Sequence, residues 1–319
     1  MEPNLAAPRN ANVLPPSGPG ALSSPYPLAP PELREAAARI EGRRVGLSLI
    51  APVKDEVDNL TNLVNRVLEV FADREDIELI LVDDGSTDGS TQLARDLVLE
   101  HTNVRAVIFE NNRGQSAAIT AGCRVARGPF VATLDADLQN DPGDLPNMLE
   151  RLEREQVDAI VGFRVKRNDN WIRRVSSKLA NRIRNSISGD SIRDTGCSLK
   201  VFRNEAISAI PMFDGMHRFL PTLLRYHGFT VLEQAVSHHP RVAGTSKYGV
   251  RNRALRAFLD LLAVRWMRSR RIELPIAEVI EPAEGQGVIQ PASFPRTANA
   301  HPASDLATTE AAEPRVHRL

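Results

Sequence analysis

Between residues 45 and 163 short apolar runs alternate with helical periods, and this alternation restricts the fold more than any other feature of the chain. The runs are Val45–Ala51, Ile77–Val82, Val104–Phe109, Phe130–Leu134 and Ala159–Phe163, with helical patterns at about 56–71, 88–100, 115–126 and 142–155. Such alternation predicts an α/β fold: a Rossmann-like, mostly parallel sheet with helices on both faces. Ligands of these sheets gather at the carboxyl ends of the strands. Glu56, Asp84 and Asp135 lie just past those ends, so topology alone draws them toward one crevice.

The fourth run leads directly into Asp135-Ala136-Asp137-Leu138-Gln139. In an extended backbone residues i, i+2 and i+4 share a face, so Asp135, Asp137 and Gln139 are expected to converge on one cation if strand geometry continues that far. All three donors are oxygens, which favours Mg²⁺ or Mn²⁺ over zinc. Ions of this kind keep waters and bind substrate phosphates, so the expected substrate is phosphorylated. The second run also ends in paired acids, Asp83-Asp84, and continues through Gly85-Ser86-Thr87-Asp88-Gly89-Ser90. Two strands ending in acids suggest a shared cleft. Asp83, Asp88 and Asp141 are read instead as turn and cap residues, a role that short acidic side chains fill well.

Several function classes fall away. The turn after the first run, Pro52-Val53-Lys54-Asp55-Glu56, has no Gly-x-Gly-x-x-Gly, and no Gly-x-x-x-x-Gly-Lys-Ser/Thr loop occurs. Dehydrogenases and P-loop enzymes are therefore disfavoured. With 40 basic and 40 acidic residues the formal charge is zero, which argues against general nucleic-acid binding. The two cysteines, Cys123 and Cys197, form no metal motif and suit a reducing compartment. His101, His227, His238 and His239 also lack metal-ligand spacing.

The 319 residues, 42% hydrophobic and 25% charged, suffice for one large domain or two small ones with a proper core. Residues 1–31 are crowded with Pro and small side chains, without the basic start and apolar core of a signal peptide, and are expected to be disordered. A tail over 272–319 reads the same way, leaving a catalytic domain at 32–250 and a basic amphipathic helix at 251–271. No window reaches the roughly eighteen apolar residues that a membrane-spanning helix requires.

Beyond Phe163 the chain turns basic, from Arg164 through Arg174 to Arg184. Most of these residues read as a solvated helix face. Arg164 is the exception, because it follows a strand directly and is expected to point into the crevice. In 251–271, Leu255, Phe258, Leu259, Leu262 and Trp266 follow helical spacing among seven arginines and a lone Asp260. Such a helix could lie in an anionic membrane surface or pack its apolar face on the domain, and both readings stand.

Several motifs together resemble the family 2 glycosyltransferases of GT-A fold, in particular their polyprenyl-phosphate branch. They are Pro52–Glu56, Val82-Asp83-Asp84-Gly85-Ser86-Thr87-Asp88, Asn112-Arg113-Gly114, Asp135–Pro142, Asp194-Thr195-Gly196-Cys197, His217-Arg218-Phe219-Leu220-Pro221 and His239–Gly249. The resemblance covers about residues 45–270. It implies an inverting enzyme that moves a sugar from a UDP- or GDP-linked donor to a polyprenyl phosphate such as undecaprenyl phosphate. Pro52, Glu56, Asp84, Arg113 and Asp135 would then contact the nucleotide, with Asp84 accepting a hydrogen bond from the base. Asp135, Asp137 and Gln139 would hold Mg²⁺ or Mn²⁺ at the diphosphate. Arg241, Ser246 and Lys247 would close over phosphates from a late loop, and Arg164 and Arg174 would hold the acceptor phosphate together with Ser246 and Lys247.

Lys54-Asp55 departs from the family's usual Tyr-Asn at the first turn. The processive enzymes' Gln-x-x-Arg-Trp motif is absent, since Leu262 stands four residues before Trp266. The family's frequent C-terminal transmembrane helices also have no counterpart, so the protein is expected in the cytoplasm, peripheral on the cytoplasmic face of the inner membrane. Two other readings remain: transfer to a soluble glycan or protein, and a non-catalytic nucleotide-sugar-binding module.

Overall fold

The computed structural model describes residues 44–164, 189–239 and 250–270. Four strand–helix steps and a fifth strand open the fold: β1 Leu47–Val53, α1 Val57–Val70, β2 Ile77–Asp83, α2 Ser90–Glu100, β3 Val104–Ile108, α3 Gln115–Val125, β4 Phe130–Thr133, α4 Leu145–Arg154 and β5 Ala159–Arg164. There follow β6 Lys200–Arg203, α5 Asn204–Ser208, α6 Leu220–Tyr226, β7 Val231–Val236 and α7 Val250–Ser269. The expected tails at 1–31 and 272–319 lie outside the described residues.

Seven strands form one sheet in the order β3-β2-β1-β4-β6-β5-β7. β1 pairs in parallel with β2 and β4, β2 with β3, and β5 with β7, while β6 runs antiparallel to both β4 and β5. The expected α/β class and mostly parallel sheet are both present. β6 and β7 were not anticipated.

Period-two alternation divides the strands between two cores. Leu47, Leu49, Leu79 and Leu81 face one side, against Leu60, Leu63, Val64 and Val67 of α1 and Met148, Leu149 and Leu152 of α4. Ile50, Ile80, Val82 and Val131 face the other, against Ile119 of α3, Leu223 of α6 and Leu261 and Val264 of α7. Each fully buried aliphatic side chain contributes about 1.5–3 kcal/mol. A sheet covered in this way exposes only its strand ends, and the carboxyl ends of β1, β2 and β4 lie together.

At the other end of these strands sits a buried polar group. Glu78 of β2 accepts hydrogen bonds from Ser48 Oγ at 2.7 Å, Arg105 Nη1 at 2.7 Å and the Arg127 N–H at 2.8 Å. A carboxylate so deeply placed is tolerated because its oxygens are satisfied.

Candidate active site

The β1–α1 turn is stitched to the β2–α2 loop. Lys54 Nζ donates to the Gly85 carbonyl at 2.6 Å, Thr87 N–H to Asp55 Oδ1 at 2.7 Å, and the Asp55 and Glu56 N–H groups to Ser86 Oγ and Ser90 Oγ, each at 2.9 Å. Asp55 has φ 52°, in the left-handed region that Asn and Asp tolerate among non-glycine residues. Its Asn-like shape therefore preserves the turn despite the departure at Lys54-Asp55. Gly85, at φ 66°, lies where a Cβ would come within 2.7 Å of the Asn111 backbone, so only glycine lets the two loops meet.

Asp84, buried at the end of β2, accepts from the Arg113 N–H at 2.5 Å and the Gly114 N–H at 2.9 Å. One carboxylate thus holds the approach to α3. Glu56 Oε2 accepts from Asn59 Nδ2 at 2.7 Å at the start of α1. Pro52 lines the adjoining cavity, and Arg113 is exposed. Asp83, Asp88 and Asp141 serve turns and caps, as expected: Asp83 accepts from the Ser86 N–H, Asp88 from the Ser90 and Val57 N–H groups, and Asp141 from the Gly143 N–H.

Strand geometry does not continue to Gln139. β4 ends at Thr133, residues 136–140 form turns and bends, and Leu138 has φ 56°. The idea of a single strand face carrying all three donors is thereby corrected: a tight turn presents them, with Asp137 Oδ1 accepting the Gln139 N–H at 3.2 Å. The Gln139 carbonyl accepts from the His239 N–H at 2.8 Å, which ties the turn to the end of β7.

Asp135 opens onto a cavity of about 220 Å³ and accepts from Gln115 Nε2, at the start of α3, at 2.9 Å. Burial pushes the Asp135 carboxyl up and the Asp137 charge adds to this, against a Ser198 hydrogen bond and the charges of Lys200 and Arg164. Two acids that repel each other at the edge of a cavity suit a cation. Among the described residues no three Asp, Glu, His or Cys side chains form a metal cage. Two carboxylates and an amide oxygen nevertheless match a hard ion that keeps waters and binds phosphate. Nearby, His238 Nδ1 is buried without a hydrogen-bond partner among the described residues, and burial pushes its imidazole down.

β6 closes the far wall. Ser198 accepts from Thr133 Oγ1 through its carbonyl at 2.6 Å and from Asn140 Nδ2 through its hydroxyl at 2.8 Å. Lys200, opposite Thr133 in register, is buried and donates to the Cys197 carbonyl. Burial pushes its ammonium down, against the nearby Cys197, Asp135 and Asp194. His217 Nδ1 lies 2.7 Å from Ser116 Oγ, and His217 and Arg218 complete the rim.

Arg164 does not stand open to the crevice: its guanidinium grips Asp194 in a fork, at 2.7 Å and 2.9 Å. Arg174, Arg241, Ser246 and Lys247 lie outside the described residues. Gln115, Ser198 and Lys200 had no local signal and lie just beyond the motifs named above. Both cysteines are free and buried, and burial pushes the Cys123 thiol up to about 12 and the Cys197 thiol up as well, which argues against either as a nucleophile.

Residues 48–210 match the family model described as Glycosyl transferase family 2. The chain belongs to this family. Among curated relatives of this glycosyltransferase, the dodecaprenyl-phosphate galacturonate synthase of Rhizobium johnstonii is 42% identical over 223 residues, 68% of this chain and 66% of the relative. The undecaprenyl-phosphate 4-deoxy-4-formamido-L-arabinose transferase of Aeromonas hydrophila is 37% identical over 206 residues, 64% of this chain and 63% of the relative. The chain thus spans just under two thirds of both. In fold it matches glucosyl-3-phosphoglycerate synthase from Mycobacterium tuberculosis, solved with Mn²⁺, UDP and phosphoglyceric acid, with a TM-score of 0.52 and 17% identity over 74% of this chain and 82% of that one. A mannosyltransferase from Pyrobaculum calidifontis, solved with GDP-mannose and Mn²⁺, also has a TM-score of 0.52, with 20% identity over 76% and 72%. At these identities both establish the GT-A fold.

Proposed function

We propose that this glycosyltransferase moves a sugar from a nucleoside-diphosphate sugar to a polyprenyl phosphate, inverting the anomeric carbon. The observation that carries the reading is Asp135, at the head of the turn that bears Asp137 and Gln139, in the wall of a cavity whose other charged walls, Lys200 and Arg218, are cationic. The two curated relatives are named for different sugars, and what they share is a polyprenyl phosphate. The acceptor class therefore transfers more readily than the sugar.

Pro52, Glu56 and Asp84, at the ends of β1 and β2, and Arg113, in the loop after β3, are proposed to contact the nucleoside and the start of its diphosphate. Asp135, Asp137 and Gln139 would hold Mg²⁺ or Mn²⁺, which when bound supplies charge neutralisation for the departing diphosphate. Gln115 fixes the Asp135 carboxylate at 2.9 Å and orients it. A lipid phosphate monoester is already largely anionic near neutrality, since its second pKa is about 6. No side chain is then needed to remove a proton from the nucleophile, and positioning and charge carry the rate. Arg241, Ser246 and Lys247 are proposed to close over the phosphates, and Arg174 to assist the acceptor.

Contact with an anionic membrane surface is assigned to α7. At about 100° per residue its apolar side chains fall on two faces roughly half a turn apart. Leu261 and Val264 pack into the core, whereas Phe258 at 46%, Leu259 at 55%, Leu262 at 42% and Trp266 at 61% exposure form the other stripe. Arg256, Arg265 and Arg270 lie exposed around that stripe. The stripe Phe258, Leu259, Leu262 and Trp266 is not the one that packs on the domain, and its exposure supports the membrane reading. No described helix is long and apolar enough to cross a membrane. The proposed location is peripheral, on the cytoplasmic face of the inner membrane.

The test is transfer from a panel of UDP- and GDP-sugars, with Mn²⁺, to short-chain polyprenyl phosphate, the corresponding polyprenol, and soluble glycans. Product on the phosphate alone supports the reading. Product on the glycans alone selects the soluble-acceptor alternative, and binding without turnover of any donor selects the sensor.

A further inference from the structure

Lys200 is the one described lysine buried in the fold, at 4% exposure, and it lies in the cavity beside Asp135. Burying an ammonium is costly unless anions or strong acceptors surround it. Its only hydrogen bond among the described residues goes to the Cys197 carbonyl. An ammonium has three donors, so this leaves capacity toward the cavity. Of the other cations, Arg164 is forked onto Asp194, and Arg218, at the rim of the same cavity, also acts on the charge of Asp260 of α7. The acidic turn across the cavity is matched to the donor's diphosphate through a cation. What Lys200 faces is the space left for a second anionic group.

We propose that Lys200 binds an anionic oxygen of the substrate within this cavity, and that the oxygen belongs to the acceptor phosphate. This rests on the reading above. It replaces Arg164, whose fork is filled, as the first described contact of that phosphate. A carboxylate on the transferred sugar would present the same chemistry, and the assay arms below separate the two sources. Placing Lys200 on β6, opposite Thr133 in register, with its ammonium hydrogen-bonded to the Cys197 carbonyl, holds the charge near Asp135. That suits an anion that must attack at a set angle.

The experiment compares full-length wild type with Lys200→Met, Lys200→Gln and Lys200→Arg. Binding of geranyl phosphate is measured by titration, alongside KM values for short-chain polyprenyl phosphate, for a neutral hexosyl donor and for a uronosyl donor. We expect both neutral variants to weaken geranyl phosphate binding and raise the acceptor KM by roughly ten- to a hundred-fold, the loss typical of a charged hydrogen bond. Either donor KM should change less than about threefold, and Lys200→Arg should recover part of the loss. If Met fails to fold, Gln and Arg still decide the matter by the contrast in charge.

A rise in KM confined to the uronosyl donor would overturn the assignment to the acceptor. Unchanged binding and KM values with a lowered melting temperature would reduce Lys200 to a structural part. Wild-type turnover with an acceptor KM indifferent to Lys200 refutes this inference and leaves the proposed function standing. Lys200-dependent geranyl phosphate binding in a wild type that consumes no donor does the reverse.

Discussion

Gln115, the first residue of α3, donates its side-chain amide to Asp135 Oδ1 at 2.9 Å, joining a helix start to the turn after β4. The carboxylate is thereby oriented by a residue twenty positions earlier. Removing an orienting partner of a metal-binding carboxylate costs about 10–100-fold in metal affinity or activity. Gln115→Leu should therefore raise the Mn²⁺ concentration for half-maximal activity by at least about tenfold, read from activity against Mn²⁺. Denaturant stability should change little, because Gln115 lies at the mouth of the cavity.

The Arg164–Asp194 fork is largely shielded from solvent on both sides. Breaking a shielded pair by removing one partner costs about 3–5 kcal/mol when burial is complete. For Asp194→Ala we expect about 2–3 kcal/mol, since some exposure remains. Urea unfolding at pH 7 measures it, and a loss under about 0.5 kcal/mol would mark the fork as ornamental.

At the opposite sheet end, Glu78→Ala would leave Arg105 and the Arg127 N–H without their shared acceptor. The expected destabilisation is about 3 kcal/mol, the cost of breaking a shielded ion pair, with Arg105 keeping the Val125 carbonyl and the Arg127 N–H keeping Ser48 Oγ. Turnover per folded molecule should be unchanged, because none of these groups reaches the crevice. Chemical denaturation with activity measured on the same samples separates the two effects.

The order of the first five strands and four helices was legible because buried parallel strands read as continuous apolar runs, and their bounds differ from expectation by three residues or fewer. β6 escaped notice: four residues flanked by Lys200 and Arg203 lack the length and apolarity of a buried run, and tertiary pairing with β4 and β5 makes them a strand. In the site, Asp135 and Asp137 were visible because local sequence places acids after a strand. Gln115 and Lys200 reach Asp135 and the cavity from distant elements, and no spacing rule encodes such meetings. Leu138 misled the geometry, because a left-handed residue broke the alternation that would have aligned Gln139.

Asp141 forms a fork with Arg66 at 3.1 Å to each oxygen, and the Arg66 hydrogen bonds hold its carboxyl below the usual range. A depressed folded value means the pair stabilises above the unfolded pKa of about 3.9, and this contribution disappears as pH falls through the folded value. The pair is partly exposed, so Arg66→Met should cost no more than about 1 kcal/mol at pH 7. Urea midpoints of wild type and variant should converge below about pH 3.

The two stripes of α7 give opposite expectations. Leu262→Ser with Trp266→Ser should leave unfolding unaffected and weaken sedimentation with phosphatidylglycerol vesicles by at least about tenfold. Val264→Ala, on the packed stripe, should instead cost about 1–2 kcal/mol of stability. Vesicle binding untouched by the first pair would remove the membrane role from this helix.

The central claim is most directly tested by measuring sugar transfer to short-chain polyprenyl phosphate for wild type and Asp137→Ala, each with Mn²⁺ and with chelator. The account predicts transfer by wild type with Mn²⁺ only, and a loss of at least about a hundredfold in the variant with its fold intact. Transfer that survives both the chelator and the substitution would contradict it.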